Sequence, residues 1–189
     1  MQGVTHDGQR WSNADQDRVD LMEYDVDWPA MFEGEASRIR STLGSAIGFS
    51  LEHFGSTAVP GLAAKPIIDI LMVVAEQSQW PRLIEPLKSL DYVFWADNPR
   101  HDRMFFVKGM PPFGARRTHH VHVRTPADAR PSILFRDYLR RHAEEVVRYA
   151  LLKRELAERY PADRDAYTEG KRQFVDEIAR KAESALGAV

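Results

Sequence analysis

Ile67-Ile68-Asp69-Ile70-Leu71-Met72-Val73-Val74 is an apolar, β-branched run broken by a single carboxylate. Such a run predicts a central strand of a covered sheet. An ionisable side chain inside it is costly unless it is paired, hydrogen-bonded or bound to a cation. Side chains alternate across a strand, so Asp69 shares a face with Ile67 and Leu71, and that face must open onto something polar. Two readings stand: a carboxylate anchoring a buried arginine or a nearby backbone group, or a site residue.

Upstream, Ile47, Phe49, Leu51 and His53 alternate with smaller or polar residues, the period of a half-buried strand ending at Gly55. Residues 56–66 contain Pro60, Gly61 and Pro66, which predicts a turn-rich connector. Gly55, Ser56 and Thr57 thus stand where a strand turns toward a helix. They form either a plain turn or a setting whose N–H groups and hydroxyls hold phosphate oxygens. The segment is neither a Walker A loop nor a dinucleotide fingerprint. Before it, Asp27-Trp28-Pro29 reads as a helix entry, with Phe32, Ala36, Ile39 and Leu43 at helical spacing and Gly44 to end the turn. Residues 1–18 have no periodic apolar pattern and are expected to be a mobile tail, leaving 19–189 as one domain.

Downstream, residues 81–90 suit an amphipathic helix, and 92–95, 104–107 and 118–124 suit three further strands. From Asp128 onward the pattern turns helical. It shows Ile133, Leu134, Tyr138 and Leu139, then Val146, Val147, Ala150, Leu151 and Leu156, then Tyr167, Phe174, Ile178 and Ala182, with Pro161 between the last two helices.

His120 and His122 are two apart on a predicted strand, hence on one face, where two imidazoles meet one metal ion or one phosphate, or simply meet solvent. His119 belongs to the opposite face, and His53 is a further candidate beside the glycine turn. Arg103, Lys108, Arg116 and Arg117 flank these strands. In residues 100–124 they join Arg100 and Arg124 against Asp102 alone, which makes either a solvated basic hairpin or a grip for an anionic ligand.

Composition closes several other routes. Hydrophobic residues make up 43% and charged residues 29% of the chain, the balance of a folded globular protein. There is no cysteine, so a disulfide framework, a thiolate metal site and a cysteine nucleophile are excluded. No apolar run approaches the roughly 20 residues of a membrane span, and the polar N-terminus lacks the apolar core of a signal peptide, so a cytoplasmic protein is expected. A net charge of −2 argues against a dedicated nucleic-acid binder.

Five ordered blocks resemble the GrpB family. They run from Val19-Asp-Leu-Met-Glu-Tyr-Asp-Val-Asp-Trp-Pro through Glu52-His-Phe-Gly-Ser-Thr-Ala-Val-Pro-Gly and Arg103-Met-Phe-Phe-Val-Lys-Gly to Arg117-Thr-His-His-Val-His-Val and Phe135-Arg-Asp-Tyr-Leu-Arg, followed by the helix around Tyr149. The resemblance implies a nucleotidyltransferase-like α+β fold: a small mixed β-sheet flanked by helices, with a helical C-terminal part, presenting Gly55-Ser56 and Asp69. Active nucleotidyltransferases carry two acidic residues two apart on the second strand; here the second position is Leu71. One carboxylate binds magnesium poorly, and His120 and His122 are candidates for the missing ligands of a magnesium, manganese or zinc ion.

Two functions follow. One is a transferase acting on a nucleotide or other anionic small molecule, with Asp69 and Ser56 catalytic. In it Gly55, Ser56, Thr57, Lys65, Arg103, Lys108 and Arg117 hold the ligand, and Asp69, His120 and His122 hold the metal. The other is a binding or regulatory module that keeps the fold without the chemistry. An adaptor role for the helical half is a third, weaker reading, and the oligomeric state, a homodimer included, is left open.

Overall fold

Around Asp69 the apolar run becomes β4 (Ile68–Val73), an inner strand of a five-stranded mixed sheet. The computed structural model describes residues 2–4, 10–12, 18–96, 103–110 and 113–187. The other strands are β3 (Ser50–Phe54), β5 (Tyr92–Phe94), β6 (Met104–Lys108) and β7 (His119–Arg124), in the order β3-β4-β7-β6-β5. Only the β4–β7 pair is parallel; the other pairs are antiparallel.

One face of the sheet carries Ile68, Ile70, Met72, Phe106, Val121 and Val123. It packs on α1 (Trp28–Leu43) through Trp28, Phe32, Ala36 and Ile39, and on α2 (Ile84–Lys88) through Leu87. The expected helix entry holds: Asp27 is the N-cap position and Pro29 lies in the first turn, although it is the Asp25 carboxylate that accepts the Asp27 N–H. The helix expected over 81–90 is shorter. Pro81 and Pro86 stand in this segment, and the chain enters it through a 3-10 turn, Gln77–Leu83.

The opposite face carries Phe54, Asp69, Leu71, Phe105, Val107, His120 and His122. Part of it is covered by α3 (Pro126–Arg141), whose Ala129 packs on Phe54 and Leu71. Thr125 caps this helix by accepting the Asp128 N–H. Helices α4 (Ala143–Arg159) and α6 (Arg172–Gly187) pack Tyr149, Phe174 and Ile178 against Val59, Leu62 and Leu139. Between them α5 (Arg164–Glu169) buries Tyr167 against Val19 and Leu156. Val147 and Leu151, expected on the core face of α4, are each 59% exposed. Ala150 and Leu156 are buried as expected, and the stripe is completed by Glu145, Tyr149 and Lys153.

In the expected tail, β1 (Gln2–Val4) and β2 (Arg10–Ser12) pair as an antiparallel ribbon, while the rest of 1–17 lies outside the described residues. Arg100 and Asp102 also lie outside them.

Lys108 does not belong to the ligand group expected from sequence. Alternation along β6 turns it to the α1 face with Phe106, where its Nζ donates to Glu35 Oε1 at 2.7 Å and lies over the Tyr92 ring. Glu35 is 5% exposed, so this is a structural ion pair. Lys108→Met strands a buried carboxylate whose remaining ion-pair partner among the described residues is Arg38, 3.4 Å away. We expect a loss of about 3 kcal/mol in denaturant unfolding, with ligand and metal affinity of the folded protein unchanged.

Candidate functional site

Parallel register sets Asp69 level with His120 and Leu71 level with His122 on neighbouring strands. Asp69 and His120 therefore project from one face at the same height, with His122 two residues further along the same face. Asp69 Oδ1 lies 3.0 Å from His120 Nδ1 and 3.6 Å from His122 Nε2. At the level where a second carboxylate would sit, Leu71 is fully buried against Phe54 and Ala129, and the group reaching toward Asp69 is His122. The remaining nitrogens, His120 Nε2 and His122 Nδ1, have no hydrogen-bond partner among the described residues. Phe105 stands 5.0 Å from the His120 ring and 4.7 Å from the His122 ring, and Phe54 meets His122 edge-on at 5.0 Å. Aromatic walls, rather than second hydrogen bonds, orient the rings.

Burial pushes His120 down to about 3, outweighing the hydrogen bond and charge of Asp69 that favour its protonation, and it lowers His122 in the same way. Burial alone raises Asp69, but the hydrogen bonds from the two histidines prevail and hold its carboxyl below the usual range. The cluster at neutral pH is one carboxylate with two neutral imidazoles.

One donor atom from each residue falls within a 4.8 Å group. To bind an ion there, each ring must carry its proton on the outer nitrogen and present a bare nitrogen toward Asp69, so the ion replaces the His120–Asp69 hydrogen bond. The residues therefore fit a single divalent ion. The one-oxygen, two-nitrogen set suits zinc or manganese better than magnesium, and it does not build the two-magnesium clamp.

Gly55 makes this approach possible. Its φ is 73°, and a Cβ there would stand 2.5 Å from Asp69 Oδ2. The glycine-serine turn is thus built against the carboxylate, as the sequence suggested, through a short 3-10 turn at Ser56–Ala58. Thr57 is held inside it: His53 Nε2 lies 3.0 Å from its hydroxyl, which donates to Ile67 O at 3.4 Å. Thr57 lines the cavity, and its hydroxyl also serves as a strut of the turn. His53 stacks on Phe32, 4.9 Å between ring centres, and burial lowers it to about 4, so it stays neutral. Ser56 keeps its hydroxyl at the cavity, hydrogen-bonded with the buried Tyr149 phenol.

The cavity above Asp69 measures about 300 Å³. Lys65, Arg103 and Arg117 line it, as expected, while Arg116 is exposed elsewhere. Sequence reasoning missed three further cations, Lys153, Arg164 and Lys171, together with Trp95 and Tyr167. Lys153 carried a readable signal: it lies four residues after Tyr149 and three before Leu156, on the apolar stripe of its helix. Its Nζ donates to Ala63 O and sits 4.8 Å from the centre of the Tyr149 ring. Burial pulls Lys153 down to about 7, helped by the charges of Lys171 and Arg154. Burial likewise brings Lys171 to about 8 and holds Lys65 well below the ordinary lysine range.

The family model described as GrpB protein matches residues 18–181. The UPF0157 protein PA4798 of Pseudomonas aeruginosa is 54% identical over 179 residues, covering 95% of this chain and 74% of that protein. Among solved structures, the conserved protein GrpB from Enterococcus faecalis superposes with a TM-score of 0.78 at 32% identity, over 88% of this chain and 99% of that one. A Cid1 poly(U) polymerase matches at a TM-score of 0.52 and 15% identity, over 72% of this chain and 44% of its own, which shows a shared nucleotidyltransferase fold.

Two outcomes are expected. Gly55→Ala forces both a left-handed alanine and a displaced Asp69, costing about 1–3 kcal/mol of stability from the backbone alone. If the variant melts like the parent, the close approach is not a constraint. The second concerns pH. A lysine that titrates near 7 when folded and near 10.5 when unfolded leaves the unfolded chain holding more protons between those values, so stability rises with pH across that window. Melting of the ligand-free protein from pH 6.5 to 9 should show a rising Tm, with a shallower rise in Lys153→Met; a flat or falling Tm contradicts the buried lysine cluster.

Proposed function

The chain belongs to the GrpB family, and from that premise we propose that it is a cytoplasmic, metal-dependent transferase acting on a nucleotide or other anionic small molecule. The observation that carries this reading is Asp69, flanked by two neutral imidazoles, at the floor of a cavity lined with cations. Asp69, His120 and His122 hold a divalent ion. When bound, that ion supplies a fixed positive charge to a phosphoryl or carboxyl oxygen.

The chain's own residues do the rest. The turn at Gly55 and Ser56 orients an anionic group beside Asp69, and the Ser56 hydroxyl offers it a hydrogen bond. Arg103 and Arg117, on the β6 and β7 side, neutralise charge on the ligand. Phe54 and Phe105 keep bulk water from the imidazole faces, which strengthens the electrostatics of the site. The fold shared with a poly(U) polymerase supports the reaction class, and the nucleotide as donor is carried over from that likeness.

A second reading is favoured by Leu71. With no second carboxylate, the cavity serves a binding module that holds the same ligand without turning it over.

Elemental analysis of the purified full chain, followed by incubation with manganese and nucleoside triphosphates, separates the two. The transferase reading expects stoichiometric metal and nucleotide consumption. Asp69→Ala and His120→Ala should each lose metal by more than the roughly 10–100-fold that outer partners contribute, and lose turnover with it. Metal and nucleotide bound with no turnover selects the module, and no metal in the parent under any loading condition removes the metal site from both readings.

A further inference from the structure

The block Phe135-Arg-Asp-Tyr-Leu-Arg contributes no residue to the lining of the cavity, yet it grips the glycine-serine turn from behind. Arg136 and Arg140 stand four residues apart on α3, so their side chains share one face of the helix. Arg136 Nη1 donates to His53 O at 2.8 Å, and Arg140 Nε donates to Ala58 O at 2.9 Å. These two carbonyls bracket Gly55 and Ser56, one on each side of the turn. Between the arginines, Leu139 packs with Val59 and Leu62, which follow the turn in the chain. One helix face thus holds both the entry and the exit of the turn.

The turn depends on that hold. Its own hydrogen bonds run from Ala58 N–H to Gly55 O at 3.3 Å and from Val59 N–H to Ser56 O at 3.2 Å, at or beyond the long end of the usual range. Three residues of 3-10 helix have little stability by themselves. Glycine at a φ of 73° permits the turn without choosing it, because its backbone adopts other conformations as readily. The place of Ser56 is therefore set from outside, by Thr57 on the cavity side and by α3 on the other.

The two arginines differ in what they can be asked to do. Arg136 is 7% exposed, and Glu52 and Asp137 each meet its charge at 2.8 Å, so it is a fixed part of the fold. Arg140 has a side chain 39% exposed. Its ion-pair partner among the described residues, Asp137, lies 3.7 Å away, beyond hydrogen-bond reach, which leaves Ala58 O as its acceptor among them. Arg140 lines a separate cleft of about 280 Å³, with Arg40, Phe32 and Leu51, and does not line the cavity.

We propose that Arg140 is a positioning residue of the site: its hydrogen bond to Ala58 O fixes the Gly55-Ser56 turn, and with it the Ser56 hydroxyl, for an anion seated beside Asp69. The guanidinium itself never meets that ligand. This rests on the reading of the cavity as an anion site and deepens it by naming what orients the turn. The physical reason is preorganisation, since a turn already held in one place loses less freedom when the ligand binds.

Orthophosphate titration of the metal-free full chain, followed through amide resonances in proton–nitrogen correlation spectra, tests this on the parent, Arg140→Met, Arg140→Lys and Arg40→Met. Methionine keeps the aliphatic stem and removes the donors, whereas lysine restores the charge and a donor. Arg40 lines the same cleft and, among the described residues, hydrogen-bonds no carbonyl of the turn, so its variant measures the effect of lost charge alone. Arg140→Met should shift the Ser56 amide of the free protein and weaken phosphate about tenfold, the affinity equivalent of one charge-assisted hydrogen bond, with a melting temperature only about 2–4 °C lower. Arg140→Lys should recover part of both effects, and Arg40→Met should leave the Ser56 amide in place with a far smaller loss of affinity. A Ser56 amide unmoved in Arg140→Met, or a loss of phosphate matched by Arg40→Met, overturns the assignment. A parent that binds no phosphate removes the anion reading of the cavity. The Ser56 amide then decides the role of Arg140 by itself: a shift in Arg140→Met that Arg140→Lys reverses supports it, and an unmoved resonance overturns it.

Discussion

The parallel pairing of β4 with β7 is the interaction on which the rest of the molecule turns. In parallel register Asp69 stands level with His120 and Leu71 with His122. Alternation sends all four side chains to one face, while Ile68, Ile70, Met72, Val121 and Val123 go to the other. A slip of one residue in either strand would bury a carboxylate or two imidazoles in the α1 core and expose its aliphatic side chains. The apolar face therefore fixes the polar one, and the site's geometry follows from the packing of residues that never touch a ligand.

That arrangement sets a demand that other parts of the chain meet. A carboxylate and two imidazoles on a covered strand face need partners, and they find them in each other, in the aromatic walls of Phe54 and Phe105, and in the turn that Gly55 allows to close against Asp69. The C-terminal helices then roof the rest of the face. Their apolar residues cover Val59 and Leu62, and their cations surround the opening. Among the described residues the cavity thus sets lysines and arginines against one carboxylate, Asp69. Burial there lowers the titration of Lys65, Lys153 and Lys171.

Much of this is legible in the sequence, for definite reasons. β4 is readable because a long, β-branched apolar run suits a strand covered on both faces and lacks the polar face of a surface helix. The shared face of His120 and His122 follows from strand alternation alone. Gly55-Ser56 is readable as a turn, but not the need for glycine there, which comes from the tertiary approach of Asp69. Lys108 is misplaced by sequence because its position in a basic stretch says nothing of which face of β6 it occupies; alternation from Phe106 turns it to α1. Thr57 reads as a hydroxyl in a glycine turn, and it does line the cavity, but only the fold brings His53 and Ile67 O against its hydroxyl. The helical cations are hidden by distance along the chain, since nothing local joins Lys65 to Lys171. Lys153 alone betrays itself, as a charge on an apolar helical stripe.

The central claim is that Asp69, His120 and His122 form one divalent-ion site on the sheet face. Anomalous diffraction from crystals of the full chain soaked in manganese tests it most directly. The account predicts a single strong peak at about 2.0–2.3 Å from an Asp69 carboxylate oxygen and from one nitrogen of each histidine. A soaked crystal with no peak there, or with its peak on surface carboxylates while Asp69 remains hydrogen-bonded to His120, would contradict it.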